Sequence, residues 1–507
     1  MTASQCRGTQ ARECSSRGSR EHVARRGGFT NEPPASATCA TMATGCERGI
    51  QGMSREPNER LIAFMAEAKV SNKGLAKRMR DLAAQRGASL GTTHVSVQRW
   101  RDGAGIQPKT AAIMADALSA KLARRVSAAD LGLLGTDPPI RHPHPAYPVA
   151  LSDALSALDS LTQEVPGSTS VTGLVVGDGD VNSAVLSWMV SRPDGISADV
   201  AGSRRVGMRE VLAIRTAAGM FSRLDFLYGG GHGHAALRHY FRHEVLPLLS
   251  AGYSEKVGVA LFGAAAEIAE VLGWTAYDIG DHALAHRYFL SGLRLTQVID
   301  DRLLGATILA NMSHQANYLG HTVRSAQLAR AAIEGGRGQA TPRAQAIFAA
   351  HEARALSNAQ DFAGASRAMN DAERYFERAG TSQDPEYLAY VDEAEIIGEF
   401  SHCFRDLKRP AESLRFAAQA VAQTDAQYAR TLGFCRMVLA QSQLLNGDLE
   451  GALSTAGLAV DEGESLQSAR FVRYVEDFQR EISGYTDIPA VAEFTEKVAM
   501  ARAELDE

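Results

Sequence analysis

Near the N-terminus, four short segments carry apolar residues at helical spacing. The first, PNERLIAFMAEA, spaces its apolar residues three and four apart, which predicts a helix with one buried face. A second helix is predicted after Ser71 and a third after Thr92 or Thr93, because such residues favour the N-cap position. Gly103 predicts the end of the third helix, and QPKTAAIMADALSAKL predicts a fourth. We therefore expect a compact helical bundle over residues 57–135.

The segments on either side of this bundle lack such a pattern. The composition of residues 1–56 predicts a disordered extension. Alternatively, the protein starts at Met42 or Met53, and the residues before that methionine are not part of it. After the bundle, TDPPIRHPHPAYP contains five prolines and predicts a stiff spacer. Mixed helical, β-branched and glycine-rich sequence follows. Residues 136–206 are thus predicted as a linker and connecting segment.

The pattern over residues 207–507 is almost entirely helical, and it repeats. Similar segments begin at Gly280, Gly320, Gln360, Lys408 and Gly447. Each has a turn residue, then small residues and one larger apolar residue at matching positions. Small residues let paired helices approach closely, as in the second helix of a tetratricopeptide-type repeat. We expect an all-α protein in which degenerate, elongated repeats of this type stack into an α-solenoid with a concave binding surface.

Charge divides the chain in the same way. The whole chain has a net charge of −5, but residues 57–134 carry 13 Lys and Arg against 6 Asp and Glu. That segment is therefore at +7, and residues 135–507, with 32 basic against 47 acidic residues, are at −15. A basic module ahead of an acidic body indicates a polyanionic partner for the module alone.

A helix-turn-helix needs a recognition helix with one buried and one exposed face. The predicted core of this motif is Leu75, Ala76, Val97 and Trp100. The outward face would carry His94, Ser96 and Arg99, and Arg99 could read a guanine with two hydrogen bonds. The predicted phosphate contacts are Asn72, Lys73, Lys77, Thr93 and Arg101. The alternative is a small bundle with a solvated basic face.

Three sequence fragments, SNKGLAKR, VQRWRDG and IQP, resemble the Cro/phage-repressor class of helix-turn-helix domains. The resemblance implies base contacts at His94, Ser96 and Arg99, with phosphate contacts at Asn72 and Thr93. The connection from Met79 to Thr92 is longer than is usual in that class.

A longer resemblance covers most of the patterned chain. VGMREVLAIRTAAGMFSRLDFLYGGGHGHAALRHYF and the repeat segment that begins GWTAYDIGDHALAHRYF resemble actinobacterial regulators that couple such a DNA-binding module to tetratricopeptide-like repeats. Members of that group restrain sporulation and antibiotic production. The resemblance implies a transcriptional repressor of differentiation and secondary metabolism.

The sequence predicts no enzyme, cofactor or metal. In GGGHGHAALRHYFRHE, His239 and His243 lie one helical turn apart, but a metal would need a third ligand. The resembling regulators have a glycine-rich turn here, and this resemblance implies an architectural role. The cysteines form no CxxC pair, which favours a reducing, cytoplasmic setting at the nucleoid. No apolar run approaches the roughly 18 residues of a membrane span, so no membrane partner is expected.

The expected partners are double-stranded DNA, a second copy of the chain, and a peptide or protein in the repeat groove. A homodimer is expected because paired half-sites multiply the affinity of a single recognition helix. Asn311, His314, Asn317 and Tyr318 are the candidate groove residues; alternatively, they only bridge neighbouring helices. The competing function is a tetratricopeptide-type scaffold or peptide receptor with little sequence-specific DNA binding.

Overall fold

The computed structural model describes residues 57–85, 90–104, 106–122, 126, 131, 133, 145–163, 176–196, 205–380 and 384–505. The predictions for residues 1–56, for most of the proline-rich spacer and for its β-branched neighbour lie outside these ranges. The fold is all-α, as expected, and the β pairing in the described part of the chain is a single bridge between Arg205 and Gly252. Contacts divide the chain into two compact units between Gly135 and Thr136, each of which is described by itself.

The described part of the first unit contains four helices: α1 (Glu59–Glu67), α2 (Asn72–Gln85), α3 (His94–Arg101) and α4 (Pro108–Leu122). Their ends follow from local chemistry. The Ser71 hydroxyl accepts a hydrogen bond from the Gly74 amide at 3.2 Å. Thr93 caps α3 in a reciprocal capping box with Ser96. Gly103 takes a φ of 83°, a left-handed conformation that favours glycine.

The core of the first unit is apolar. Leu61, Leu75, Met79, Val97 and Leu118 are fully buried, and they belong to all four helices. The half-buried Trp100 packs against this core. The predicted apolar faces of the four segments therefore meet in one cluster.

The second unit begins with helices that come before the predicted repeats. They are α5 (Leu151–Thr162), α6 (Asp178–Val190), α7 (Met208–Tyr228), α8 (Gly230–Tyr240) and α9 (Leu246–Leu249). A π-helical turn, Phe241–Val245, connects α8 to α9.

Six helical pairs follow. They are α10 (Glu255–Asp278) with α11 (His282–Ile299), α12 (Arg302–Tyr318) with α13 (Thr322–Gly335), α14 (Pro342–Asn358) with α15 (Phe362–Phe376), α16 (Glu393–Asp406) with α17 (Pro410–Gln423), α18 (Ala429–Leu445) with α19 (Leu449–Glu462), and α20 (Ala469–Glu481) with α21 (Pro489–Leu505). Short 3₁₀ turns lie at Glu386–Leu388 and Ile482–Tyr485. The even-numbered helices from α10 to α18 pack side by side, as expected for a solenoid.

The five predicted repeat starts share one backbone feature. Gly280, Gly320, Gln360, Lys408 and Gly447 all have positive φ, between 57° and 86°. Each follows the first helix of a pair, where a left-handed residue ends the helix. The aspartate that comes next in three repeats caps the second helix; Asp281, for example, accepts from the Leu284 amide at 3.1 Å. These two residues together make the turn that the sequence repeats.

Small residues bring the paired helices together as predicted. A Cβ on Gly273 of α10 would lie 2.4 Å from the ring of Phe289 on α11, and Phe289 is fully buried. Glycine at this position therefore makes room for the larger apolar residue of the same repeat.

The segment predicted to connect the two modules contains helices that pack on the repeats. Trp188 of α6 is buried, donates its indole N–H to Thr296 at 3.1 Å, and lies where Cβ atoms of Gly305 and Gly335 would be, 2.3 Å away. Arg294, 1 % exposed, pairs with Asp194 at 2.7 Å. Residues 145–163 and 176–196 are thus part of the second unit rather than a spacer.

The glycine-rich turn after α7 closes the solenoid on itself. Gly229 has a φ of 87°, and a Cβ there would lie 2.8 Å from the carbonyl oxygen of Gln467. The Gly231 amide donates to that oxygen at 3.0 Å, and the Gln467 amide donates to the Tyr228 carbonyl at 2.9 Å. Since α7 packs against both α10 and α18, the first helices of the repeats surround a closed interior.

Helix α10 corrects the expectation that no segment reaches the hydropathy of a membrane span. An 18-residue window within Glu255–Asp278 has a mean hydropathy of 1.5. However, 67 % of that window is buried inside the unit, where α10 packs against α7, α8 and α11. A core helix of a soluble protein gives the same values, so this one is weak evidence for a membrane.

Candidate functional site

Helices α2 and α3 are held together at the N-terminus of α2. Asn72 donates to the side-chain oxygen of Gln98 at 2.7 Å and accepts from Arg101 at 3.1 Å. Gln98 in turn donates to Asp102 at 2.8 Å. These bonds fix the angle between α2 and α3, while Leu75 and Val97 join the two helices from within.

The outward face of α3 is exposed. His94 and Arg99 are both exposed there, as predicted for base contacts. Val95, 53 % exposed, lies on the same face, although it was not among the base contacts predicted from the sequence. A valine methyl group can contact the methyl group of thymine. The Ser96 hydroxyl, by contrast, takes part in the α3 cap, since it accepts from the Thr93 amide at 3.3 Å.

The predicted phosphate contacts lie on both helices of this motif. Lys73, Lys77 and Thr93 are exposed, whereas Asn72 and Arg101 are half-buried and bonded to each other. Lys73 and Lys77 lie one turn apart on α2 and so extend the basic surface along that helix.

The interior of the repeat ring is built around a buried carboxylate. Asp278, fully buried at the end of α10, accepts from the Gly230 amide at 2.9 Å and from the Ser468 hydroxyl at 3.0 Å. The Arg430 guanidinium lies 3.2 Å from it and also pairs with Asp225 at 2.9 Å. Burial raises the pKa of Asp225 to about 6, although Arg430 opposes the shift. This network joins α7, α8, α10, α18 and α20.

Further buried ionisable groups line the same interior. Arg354 and Glu399 form a buried pair at 2.9 Å. Burial raises the pKa of Glu270 to about 8, even though Asn311 donates to it at 2.7 Å. The pKa of His314 is lowered by burial, and its ring nitrogen lies 3.2 Å from the Tyr277 hydroxyl.

The four predicted groove residues therefore divide into two pairs. Asn311 is 1 % exposed and bonded to Glu270, so it bridges neighbouring helices rather than lining an open groove. His314 is likewise held between Tyr277 and His351, whose ring centroid is 5.3 Å away. Asn317 and Tyr318, at the end of α12, do line a cleft. The periodic sequence cannot distinguish these pairs, because all four lie on the same face of α12.

We call this cavity, which lies between α20 and the C-terminal ends of α12, α14, α16 and α18, the polar cleft. Its volume is about 630 Å³. Its wall carries five cations, Arg354, Arg405, Lys408, Arg473 and Arg480. Among all the residues that line the polar cleft, only Asn317 and Tyr318 were predicted from the sequence as groove residues. The others are spread over 130 residues of sequence and have no common motif.

Metal binding finds no support in the part of the chain that the structure describes. His239 and His243 stack, with ring centroids 4.4 Å apart, but no group of three His, Cys, Asp or Glu side chains among the described residues could hold a metal ion.

Two comparisons with known proteins give a match. The family described as the SP15 N-terminal domain matches residues 61–134, which lie within the first unit. The crystal structure of BtubC (BKLC) from P. vanneervenii is 16 % identical over 50 % of this chain and 90 % of its own, with a TM-score of 0.30. No curated protein matches the chain. The matched domain covers a small part of the sequence, and the structural likeness is too low to carry an argument about function.

Proposed function

We propose that this protein is a sequence-specific, DNA-binding transcriptional regulator that acts by binding rather than by catalysis. The observation that carries the proposal is the exposed face of α3. His94, Val95 and Arg99 lie together on a helix of eight residues that is fixed by a buried core and by Asn72. A short, rigid helix with such a face fits the major groove of B-DNA.

The charge of the first unit supports this proposal. Residues 57–134 carry a net charge of +7, and Lys73 and Lys77 are exposed on the helix next to α3. Such cations neutralise phosphates and supply the salt-dependent part of DNA affinity. The proposed site of action is the nucleoid in the cytoplasm.

A homodimer is part of the proposal. Helix α7 carries an exposed apolar surface in which Leu212 and Met220 are 66 % and 62 % exposed, beside Ala213 and Ala217. Contiguous apolar surface of this kind is typical of protein interfaces. Two copies would bring two recognition helices to paired half-sites.

The direction of regulation is proposed from the resemblance alone. The actinobacterial regulators that the sequence resembles restrain sporulation and antibiotic production, so we propose a repressor. The tetratricopeptide-like repeats would then dimerise the protein or bind the signal that relieves repression.

The test is capture of genomic DNA fragments by the purified full-length protein, followed by affinity measurements on the recovered site. We expect a recurring palindromic site. Arg99→Ala should weaken binding to it by about 5- to 150-fold, equivalent to about 1–3 kcal/mol for a lost bidentate base contact. Ser96 is less suitable for this test because its hydroxyl belongs to the α3 cap.

Lys121→Ala is the matched control, since it removes the same charge from α4. It should change affinity for the site little and equally for all sequences. Recovery of only unspecific, salt-labile DNA that both variants bind alike would contradict the proposal.

The polar cleft favours a second candidate function. Its volume of about 630 Å³ lies in the range of ligand sites. A protein-interaction scaffold or peptide receptor would use this cleft and would bind DNA weakly or without sequence preference.

A further inference from the structure

The polar cleft has an excess of positive charge. Its five cations face three carboxylates, those of Asp406, Asp477 and Glu481. Asp406 pairs with Arg405 at 2.8 Å, and Asp477 is shared between Arg473 and Arg480. Arg354 is already paired with Glu399 at 2.9 Å, so four cations of the cleft wall remain against three carboxylates. This local excess stands out in a body that carries −15 overall, and it favours an anionic ligand.

One donor at the cleft is buried and unsatisfied. The terminal nitrogen Nη1 of Arg354 pairs with Glu399, whereas its Nε is buried and has no hydrogen-bond partner among the described residues. Arg354 is 6 % exposed, so water reaches it poorly. Leaving a buried donor unpaired is unfavourable, so the described part of the protein around Arg354 lacks a hydrogen-bond acceptor.

Amide side chains add donors and acceptors side by side. Asn358 donates to Asn317 at 3.3 Å, and Gln441 accepts from Arg405 at 2.9 Å and donates to Glu481 at 3.2 Å. Asn358 is exposed. A peptide backbone presents alternating N–H and C=O groups, which amides can pair in both directions. A simple anion would use the cations alone.

Tyrosines supply the apolar part of the wall. Tyr318 lies under the guanidinium of Arg473, which is 4.8 Å from its ring centroid, and Tyr474 and Tyr485 also line the cleft. Aromatic rings beside cations and amides can hold both the side chains and the backbone of a short peptide.

From these observations we propose that the polar cleft binds a short acidic peptide in an extended conformation. The carboxylates would pair with Lys408 and Arg473, and the backbone would pair with Asn358 and Asn317. This inference deepens the proposed function, since the peptide would be the signal or partner that the repeat body receives. It rests on the proposed role of the repeat body as the part that receives a signal, and it can be tested without DNA.

The experiment selects peptides from a random seven-residue library on the full-length protein in the absence of DNA. The strongest consensus is then synthesised and titrated by calorimetry. We expect the selected peptides to be enriched in Asp and Glu. Lys408→Glu and Arg473→Glu should each weaken binding of the synthetic peptide at least about tenfold, as should Asn358→Ala. Lys408 and Asn358 lie exposed at helix ends, so these variants should fold normally.

Lys256→Glu serves as the matched control, because it makes the same charge change at the exposed N-terminal end of α10, a helix that does not line the polar cleft. It should leave peptide binding unchanged. The proposal is overturned if no peptide is selected, if the selected peptides are not acidic, or if all variants bind them equally. Competition by inorganic phosphate as strong as by the peptide would indicate an anion site instead. Failure here, with specific DNA capture intact, would leave the regulator proposal standing.

Discussion

The two units of this protein place their polar chemistry differently. In the described part of the first unit, Thr92 is the one buried polar residue, and the candidate contacts His94 and Arg99 lie outside an apolar core. In the second unit the interior itself carries charge, including Asp278 at 0 % and Arg294 at 1 % exposure. The first unit presents its chemistry on the surface, whereas the second encloses it.

This difference predicts how substitutions affect binding and stability in each unit. A buried apolar core is stable without its surface groups, so substitutions on α3 should alter binding and leave the fold intact. A buried ion network costs desolvation energy that only a complete set of partners offsets. A substitution in the ring interior should therefore change stability first.

Asp278→Ala should have the largest effect. It removes the carboxylate that pairs with Arg430 and accepts from the Gly230 amide, and it leaves these buried donors uncompensated. Loss of one partner of a buried pair costs about 3–5 kcal/mol. The free energy of unfolding of the second unit, measured by urea titration with circular dichroism, should fall by this amount.

Glu334→Ala is the control for that measurement. Glu334 pairs with Arg337 on an exposed helical turn, where such a pair contributes about 0–1 kcal/mol. Equal losses for the two variants would refute the contrast between a charged interior and a solvated surface.

Much of the fold could be predicted because it is recorded in local patterns. The buried spacing of Leu75, Val97 and Trp100 and the left-handed repeat starts at Gly280 and Lys408 depend on neighbours within one or two helices. Periodicity reports which face of a helix is buried, and small residues report close helix pairs.

The rest depends on contacts between distant residues, which no local pattern records. The pairing of Gly231 with Gln467 spans more than 230 positions, and the seat of Trp188 is formed by glycines of two other helices. The sequence left open whether Asn311 lines a groove or bridges neighbouring helices, and its bond to Glu270 shows that it bridges them within the core. Contacts between distant helices bury Asn311, whereas Asn317 and Tyr318 on the same helix line the polar cleft.

The second unit should also lose stability as the pH rises. Burial raises the pKa of Glu270 to about 8 and that of Glu267 to about 7, from a usual value of 4.5. The folded state therefore holds protons that the unfolded chain releases, and this contribution is lost as the pH rises through the folded values. We expect the Tm to fall by roughly 5 °C between about pH 6.5 and about pH 9.

Glu270→Gln should flatten this dependence, since the amide carries no charge at any pH. Titration of the buried histidines does not contribute over this pH range. Burial lowers the pKa of His286 to about 4, so its effect on stability is confined to pH values below its usual pKa of 6.5. A wild-type Tm that is constant or rises over this range would show that the carboxylates ionise in the fold without cost.

A small effect on stability should come from Thr93→Ala, which can be compared with Arg99→Ala within the first unit. Thr93 caps α3 by accepting from the Ser96 amide at 3.4 Å, so its loss should cost about 1 kcal/mol of stability. Thr93→Ser retains the hydroxyl and should restore most of it. Arg99→Ala should change the free energy of unfolding by less than about 0.5 kcal/mol while it reduces DNA affinity. If Arg99→Ala instead destabilised the unit more than Thr93→Ala, the outward face of α3 would belong to the fold, and the contrast with the repeat interior would disappear.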